Sequence, residues 1–448
     1  MNERKYWNEE METISGPDLF QLESEKLVRQ TGYVYEKSPF YRRKFEQADV
    51  SPDDIKTRDD ISKLPFTTKD ELRQTQAEFG ALGGHQCVPM EEIVRVQGTS
   101  GTTGKPLYIG LTARDTDNWK ELFARHAWTG GLRPGDSFVH PANYTLFVGG
   151  LSEAISAEAM GIGVIPAPIA TTGLEKIFQI IMDLHPTILF STPSATVFLA
   201  DYVRKQVGME PRDLGFKKGF MAGEAMPEED RQQIEEDWGI VARNYYGLAD
   251  VAADLASECG MGQGMHFCGQ GIVMAELINP VTLEPVTMVD GAEGEIVYTT
   301  IDREATPVIR YRCRDMVRVY TSRCECGRTS FRFSVFGRSD DMLKVKAVNV
   351  FPSAVKDVIS SFIPETTGEF RIVLYEPGPA INTNLELKIE YGEEYPADKT
   401  EELAGRLKQT IKERLAFTPV IKMIKPGTLP RSEYKIEYFE RVYEQDKK

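Results

Sequence analysis

The pattern of apolar and polar positions divides the chain into stretches of different texture. Residues 1–90 read as charged and helical, with start signals in SPFYRRKFEQ, SPDDI and LPFTTKDELRQT. Ser51 and Pro52 suit an N-cap and a first helical position, and Thr67 or Thr68 caps a helix with Asp70 and Glu71 in its first turn. Apolar Ile93, Val94 and Val96, then alternating LYIGLT, read as two strands of a hairpin whose loop is the polar GTSGTTGKP. From 107 to 250 helical and strand patterns alternate, which predicts βαβ units in a mostly parallel sheet. Ligands bind at the carboxyl ends of such strands, here ILFSTPS, FMAGEAM and ARNYYGLAD. Strands around a turn follow up to RYRCRD. At about Phe336 to Asp340 the texture changes to a turn, a strand and a helix, which leaves a small C-terminal α+β piece. The expected fold is α/β, a large domain of 1–336 followed by a small one of 337–448.

The polar loop is the first chemical candidate. Glycines let a backbone approach an anion closely, and the amides and hydroxyls of Thr99, Ser100, Gly101, Thr102, Thr103 and Gly104 can converge on phosphate oxygens, with Lys105 adding charge. Pro106 follows the lysine, which argues against the P-loop that runs into a helix. A flexible Gly/Thr turn is the alternative.

The second candidate is Tyr245-Tyr246-Gly247-Leu248-Ala249-Asp250, where an aromatic beside glycine suits a purine and the carboxylate suits Mg²⁺ beside phosphates. A core tyrosine and a turn acid would look the same. Asp315 can accept two ribose hydroxyls, or pair with Arg312 or Arg314. Cys259, His266, Cys324 and Cys326 make a donor set for a closed tetrahedral zinc, or are buried cysteines and a surface histidine, with Cys268 a nearby substitute. Tyr144 and Phe147 form an apolar wall for a substrate or simply fill core.

Composition narrows the classes. With 448 residues, 41% hydrophobic and 27% charged, the chain is an ordinary globular protein too long for one core. A formal net charge of −15 argues against nucleic acid or an anionic membrane as partner. The start, MNERKYWNEEMETI, lacks a signal-peptide core, and no apolar run reaches membrane-spanning length, so a cytoplasmic protein is expected. Six cysteines in so long a chain are no disulfide framework.

In order, RVQGTSGTTGKP, the PFYR and LPFTTK segments, NYYGLAD, the C…H…CxCGR set, RYRCRD, GRSDD and LPRSEYK resemble the adenylate-forming (acyl-CoA synthetase and luciferase) superfamily, in its phenylacetate-CoA ligase branch. The resemblance covers essentially the whole chain. It implies an ATP- and Mg²⁺-dependent ligase that activates an aryl or arylacetic carboxylic acid as acyl-AMP and passes it to coenzyme A. Ala222-Gly223-Glu224 resembles the segment beside the adenine and acyl pockets, Arg338 would lie near the ribose, and Asp340 would be the pivot of a mobile C-terminal lid. Lys435 would be the catalytic lysine, the cysteine and histidine set would hold structural Zn²⁺, and a homodimer is implied. The family's glycines are replaced at Arg314, Ala347 and Tyr434. Two other readings remain: adenylation with transfer to a carrier protein or an amine, and a nucleotide-binding protein without turnover.

Overall fold

The computed structural model describes residues 4–99, 106–346, 348–376, 379–381, 383–429 and 438–445. The chain packs into two compact units. One comprises Met1–Thr192, Phe198–Gly223 and Ile234–Ser334; the other comprises Pro193–Val197, Glu224–Gln233 and Val335–Lys448. Two short stretches from early in the chain therefore pack with the C-terminal segment, and the Asp230–Lys356 ion pair at 3.7 Å is one of the links. A boundary drawn along the sequence cannot show such a return.

The first unit opens with helices α1 (Glu9–Glu12), α2 (Gly16–Lys37), α3 (Pro39–Gln47) and α4 (Lys69–Phe79). Their starts follow the capping chemistry of the sequence. Ser15 and Ser38 accept the amides of Asp18 and Tyr41 ahead of α2 and α3, each with proline in the first turn, and Thr68 with Glu71 forms a capping box on α4. SPDDI becomes only a short 3₁₀ turn, Pro52–Asp54. Strands β1 (Arg95–Gly98) and β2 (Tyr108–Leu111) pair antiparallel as the expected hairpin.

The alternating region contributes α5 (Ala113–Thr129), β3 (Ser137–His140), α6 (Val148–Ala159), β4 (Gly163–Pro166), α7 (Ile169–Thr172), α8 (Leu174–Leu184), β5 (Ile188–Ser191), α9 (Pro193–Tyr202), β6 (Lys218–Met221) and α10 (Glu228–Trp238). It continues into β7 (Val241–Leu248). Strands β8 (Ala252–Ser257), β9 (Met265–Phe267), β10 (Val273–Ile278), β11 (Glu293–Thr300), β12 (Tyr311–Tyr320) and β13 (Arg332–Arg338) follow without intervening helices. All but the hairpin join one sheet of order β10-β11-β12-β13-β9-β8-β7-β6-β5-β3-β4. The β4-β3-β5-β6-β7 half is parallel, as the alternation predicts. The pairs β7–β8, β8–β9, β9–β13, β12–β11 and β11–β10 are antiparallel, so the whole sheet is mixed. The change of direction falls inside β7, whose Val241–Asn244 pairs with β6 and whose Tyr245–Leu248 pairs with β8. Phe123, Trp128, Phe138, Phe220 and Tyr245 fill the core between this half of the sheet and its helices.

In the second unit, β14 (Leu343–Val345) lies between β15 (Val348–Val350) and β17 (Ala380–Ile381). A second sheet orders β19 (Val420–Ile424), β18 (Glu386–Tyr391), β16 (Thr366–Leu374) and β20 (Phe439–Arg441). Helices α11 (Pro352–Ser360), α12 (Thr400–Leu415) and α13 (Val442–Gln445) complete the unit. Leu403, Leu407 and Ile411 recur every four residues on α12, and this stripe is buried against Phe370, Ile372, Leu387 and Ile389. Among the described residues no helix is long and apolar enough to cross a membrane.

Candidate functional site

The base of the hairpin loop is fixed from both sides. The Thr99 amide donates to the Leu107 carbonyl at 3.1 Å, and the Leu107 amide donates to the buried Thr99 hydroxyl at 3.2 Å. The Gly98 amide donates to the Leu146 carbonyl at 2.7 Å, and Gly98 bridges Phe147. Arg95 donates to the Ser152 hydroxyl at 3.2 Å and Ser152 donates to Gln97 at 3.0 Å, which ties α6 to β1. Ser100, Gly101, Thr102, Thr103, Gly104 and Lys105, and also Lys435, lie outside the described residues, as do Ala347 and Tyr434.

At the seam in β7 the pleat separates two neighbouring tyrosines, because successive side chains point to opposite faces. Tyr246 donates its hydroxyl to Asp315 Oδ2 at 2.5 Å and meets Phe333 edge-on at 5.5 Å. Burial and the Asp315 charge hold that phenol well above its usual pKa, so it stays a donor. Tyr245 points the other way, into the core, where its ring stacks on Phe220 with centroids 4.5 Å apart. Of the two, Tyr246 is the one that reaches a sequence-predicted site residue, because it alone shares a face with Asp315.

Asp315 owes its position to an irregularity. β11 and β12 lose register between Glu295 and Val297, so Cys313, Arg314 and Asp315 span a gap that Ile296 alone covers on the partner. Arg314 takes φ +73° there, a left-handed conformation that glycine adopts freely and arginine does not.

Gly247 is dictated by space. A Cβ built on it would meet the Ala253 carbonyl oxygen at 1.5 Å, a backbone atom that cannot turn aside. Gly247→Ala should cost roughly 1–3 kcal/mol by overpacking and displace the β7–β8 turn. Urea unfolding measures the first effect; an unchanged midpoint would contradict the described packing.

Just beyond, Asp250 is buried. Its Oδ2 accepts from the Tyr311 hydroxyl at 2.9 Å and faces Lys69 Nζ at 3.3 Å, whereas Oδ1 is buried without a hydrogen-bond partner. One free carboxylate oxygen fits Mg²⁺, which takes one or two protein carboxylates and draws its other donors from phosphates and water. Lys69 was not singled out by sequence reasoning, although it belongs to the LPFTTK segment. The Thr67 amide donates to the Arg310 carbonyl, and the Arg312 amide donates to the Thr67 carbonyl, both at 2.9 Å, which brings Lys69 to Asp250.

The candidate metal ligands converge. Cys259 Sγ and Cys324 Sγ are 3.6 Å apart, Cys326 Sγ and His266 Nε2 are 3.3 Å apart, and all four donor atoms lie within 4.8 Å of one another. These separations are near the edges of a tetrahedron with Zn–S bonds of about 2.3 Å, and far too long for a disulfide. His266 Nδ1 lies 3.2 Å from the Ser330 hydroxyl, an outer contact of the kind that orients a ligating imidazole. Cys268 is buried elsewhere, its thiol against the His266 carbonyl, and takes no part. The donor set therefore fits zinc.

The remaining residues are placed as follows. Tyr144 is half-buried with its hydroxyl unpartnered, and Phe147 is exposed. Ala222 and Gly223 follow the carboxyl end of β6, with the Ala222 amide on the Ser191 carbonyl at 3.2 Å and Gly223 at φ +84°. In the second unit, Glu224 accepts from the Ser194 hydroxyl at 2.8 Å and amide at 3.2 Å. Arg338 there forms a two-pronged pair with Asp340, both bonds 3.0 Å, so the residue expected near the ribose holds the expected pivot.

Comparison with known proteins agrees with this geometry. Residues 26–301 match the AMP-binding enzyme family, and residues 347–444 match the AMP-binding enzyme C-terminal domain. The phenylacetate-coenzyme A ligase of Thermus thermophilus is 34% identical over 95% of this chain and 96% of its own. That of Escherichia coli is 34% identical over 95% of both chains. Among solved structures, 2-hydroxyisobutyryl-CoA ligase in the postadenylation state with 2-HIB-AMP superposes with a TM-score of 0.90 at 26% identity, covering 100% of this chain and 95% of that one.

Proposed function

The chain belongs to the adenylate-forming, AMP-binding enzyme family, in its phenylacetate-CoA ligase branch, and is an ATP-dependent acid–CoA ligase working through an acyl-AMP; from that premise we propose how its residues share the work. In the first step an acid oxygen attacks the α-phosphorus of ATP, giving acyl-AMP and pyrophosphate. In the second the CoA thiol attacks the acyl carbon, AMP leaves and the thiol proton is released. A carboxylate is a poor electrophile, and joining it to AMP supplies a leaving group.

The roles follow from position and chemistry. Residues Thr99 to Lys105 hold the β- and γ-phosphates, and Asp315 accepts the ribose hydroxyls. The observation that carries this reading is the Tyr246–Asp315 hydrogen bond at the seam of β7, which holds an acceptor in one orientation. Asp250 Oδ1 would ligate Mg²⁺, which when bound neutralises phosphate charge. Lys435 stabilises the charge that builds at the α-phosphate and the acid oxygen. We further propose residues 1–336 as the adenylation domain and 337–448 as a lid that rotates about Asp340, opening the Asp340–Arg338 pair as it does so. Cys259, His266, Cys324 and Cys326 hold a structural Zn²⁺. We place the enzyme in the cytoplasm, as a homodimer.

For the acid, we propose a small carboxylate of the aryl or arylacetic class, supported by the names of the curated relatives. Acid-dependent ATP–pyrophosphate exchange over aryl, arylacetic and short aliphatic acids tests adenylation, and a thioester assay with CoA tests the acceptor. Exchange with no acid at all would defeat the reading. Tyr246→Phe should raise KM for ATP about tenfold, since a hydrogen bond to a charged group contributes roughly 1.5–3 kcal/mol. An unchanged KM would remove Asp315 from the ribose role.

A further inference from the structure

Beneath the hairpin lies a group of buried polar side chains to which the reaction as described gives no task. His140 ends β3, Glu153 sits on α6, and Tyr245 comes from β7. All three are buried, and Glu153 is 4% exposed. His140 Nε2 is 3.6 Å from Glu153 Oε2, and the Tyr245 hydroxyl is 3.5 Å from Glu153 Oε1. His140 Nε2 and Glu153 Oε2 face each other beyond hydrogen-bond range, and the Tyr144 hydroxyl has no hydrogen-bond partner. Unsatisfied buried polar atoms each cost roughly 1–3 kcal/mol, so a polar group that bonded to them would be stabilised here.

The group adjoins the proposed reaction centre. Ser152, one residue before Glu153, is bonded to β1, and Leu146 accepts from Gly98 at the root of the phosphate-binding loop. A Cβ on Gly149 would meet the Phe147 ring at 2.8 Å and Glu153 Oε1 at 3.1 Å, so the buried carboxyl and the exposed ring both close on the same glycine. His140 lies at the carboxyl end of a parallel strand, where open α/β sheets bind ligands.

Resting on the ligase reading, we propose that Glu153 and His140 select a carboxylic acid that carries a hydroxyl group, which bonds to this pair while Tyr144 and Phe147 cover its carbon skeleton. Burial disfavours formal charge on this pair. It pushes the Glu153 carboxyl well up, reinforced by the nearby Asp254 carboxylate, and holds the His140 imidazole down at about 4. A neutral carboxyl and a neutral imidazole each donate and accept, as a hydroxyl does. A second carboxylate on the substrate would face Glu153 and Asp254, and an ammonium would require Glu153 to ionise where it is desolvated.

The test is pyrophosphate exchange with matched acids: lactate against propanoate and alanine, and 4-hydroxyphenylacetate against phenylacetate. A site built around a substrate hydroxyl rejects the analogue lacking it strongly, so the hydroxy member of at least one pair should win by about 100-fold or more in kcat/KM. The winning pair says whether the skeleton is aliphatic or aryl. Glu153→Ala should cut that preference below about tenfold, mainly through KM for the hydroxy acid, while Glu153→Gln, which still donates and accepts, should keep most of it. Tyr144→Phe gives an independent reading should Glu153→Ala fail to fold. Exchange that favours the plain acid in both pairs, or alanine over lactate, overturns the proposal and leaves the ligase reading standing. So does an undiminished hydroxyl preference in Glu153→Ala, with water then filling the cluster. Exchange with no acid overturns the ligase reading itself.

Discussion

Lys435→Ala is expected to slow acid-dependent ATP–pyrophosphate exchange by roughly 10²–10³-fold, the usual loss when one preorganised donor is removed from a developing oxyanion. The argument starts from charge. As the acid oxygen approaches the α-phosphorus, two anions come together, and the charge that builds on the bridging and α-phosphate oxygens has no counterion unless the protein supplies one. An ammonium on a long, flexible stem can meet that charge at the moment it develops and withdraw afterwards. The effect should therefore fall on kcat more than on KM for ATP, because an interaction made only in the transition state leaves ground-state binding alone. It should also fall on one half-reaction. Given preformed acyl-AMP and CoA, Lys435→Ala should make thioester at close to the normal rate, since the thiol attack needs no new charge at phosphorus. Equal losses in both halves would mean that Lys435 serves the fold or nucleotide binding instead, and undiminished exchange would remove it from catalysis.

What could be read from the sequence, and what could not, follows from the range over which each signal acts. Capping chemistry acts over three or four residues, so Ser38 ahead of α3 and Thr68 with Glu71 on α4 were legible. So were the parallel strands β3 to β7, each a short apolar run between helical patterns. The antiparallel half was legible only in part: the strands around the turn before RYRCRD are β11 and β12, but β8 carried no signal. Ala252–Ser257 is buried at every position and therefore shows no alternation. The Tyr245–Tyr246 pair illustrates the middle range: adjacency suggests a shared task, yet the pleat sends one ring to Phe220 and the other to Asp315.

The longest range is the least legible. Lys69 and Asp250 meet across 181 positions, and Glu153 and Tyr245 across 92. No periodicity records such distances; only the order of strands in the sheet brings these residues together. Arg314 is a further case. A sequence shows arginine where the family has glycine, but only the backbone shows that this arginine takes the left-handed conformation, at φ +73°. The bulge that carries Asp315 therefore forms with arginine in place.

The cysteine and histidine set should prove a structural element of the first unit. Protein purified without chelator is expected to hold about one zinc per chain in that set. Stripping it, or replacing Cys326 with serine, should lower Tm by roughly 10 °C, because 1 kcal/mol shifts a large domain's Tm by about 2–4 °C and a lost ligand costs several. The geometry explains the size. Cys259 lies in the turn after β8, His266 on β9, and Cys324 and Cys326 in the turn between β12 and β13, so one ion would join two stretches far apart in the chain. The N-terminal segment rests on the same turn: the Tyr6 hydroxyl donates to the Cys326 carbonyl at 3.0 Å, and Arg328 pairs with the buried Glu12 at 2.7 Å. Without the ion, donor groups collected within 4.8 Å lose the charge that makes their proximity favourable, and the turn and the N-terminal segment on it should loosen together. Hydrogen exchange would register this as faster labelling of residues 4–14 and 320–330, with the hairpin at Arg95–Leu111 unchanged. Native protein free of zinc, with Cys326→Ser melting at the wild-type temperature, would reduce the four residues to a packed cluster.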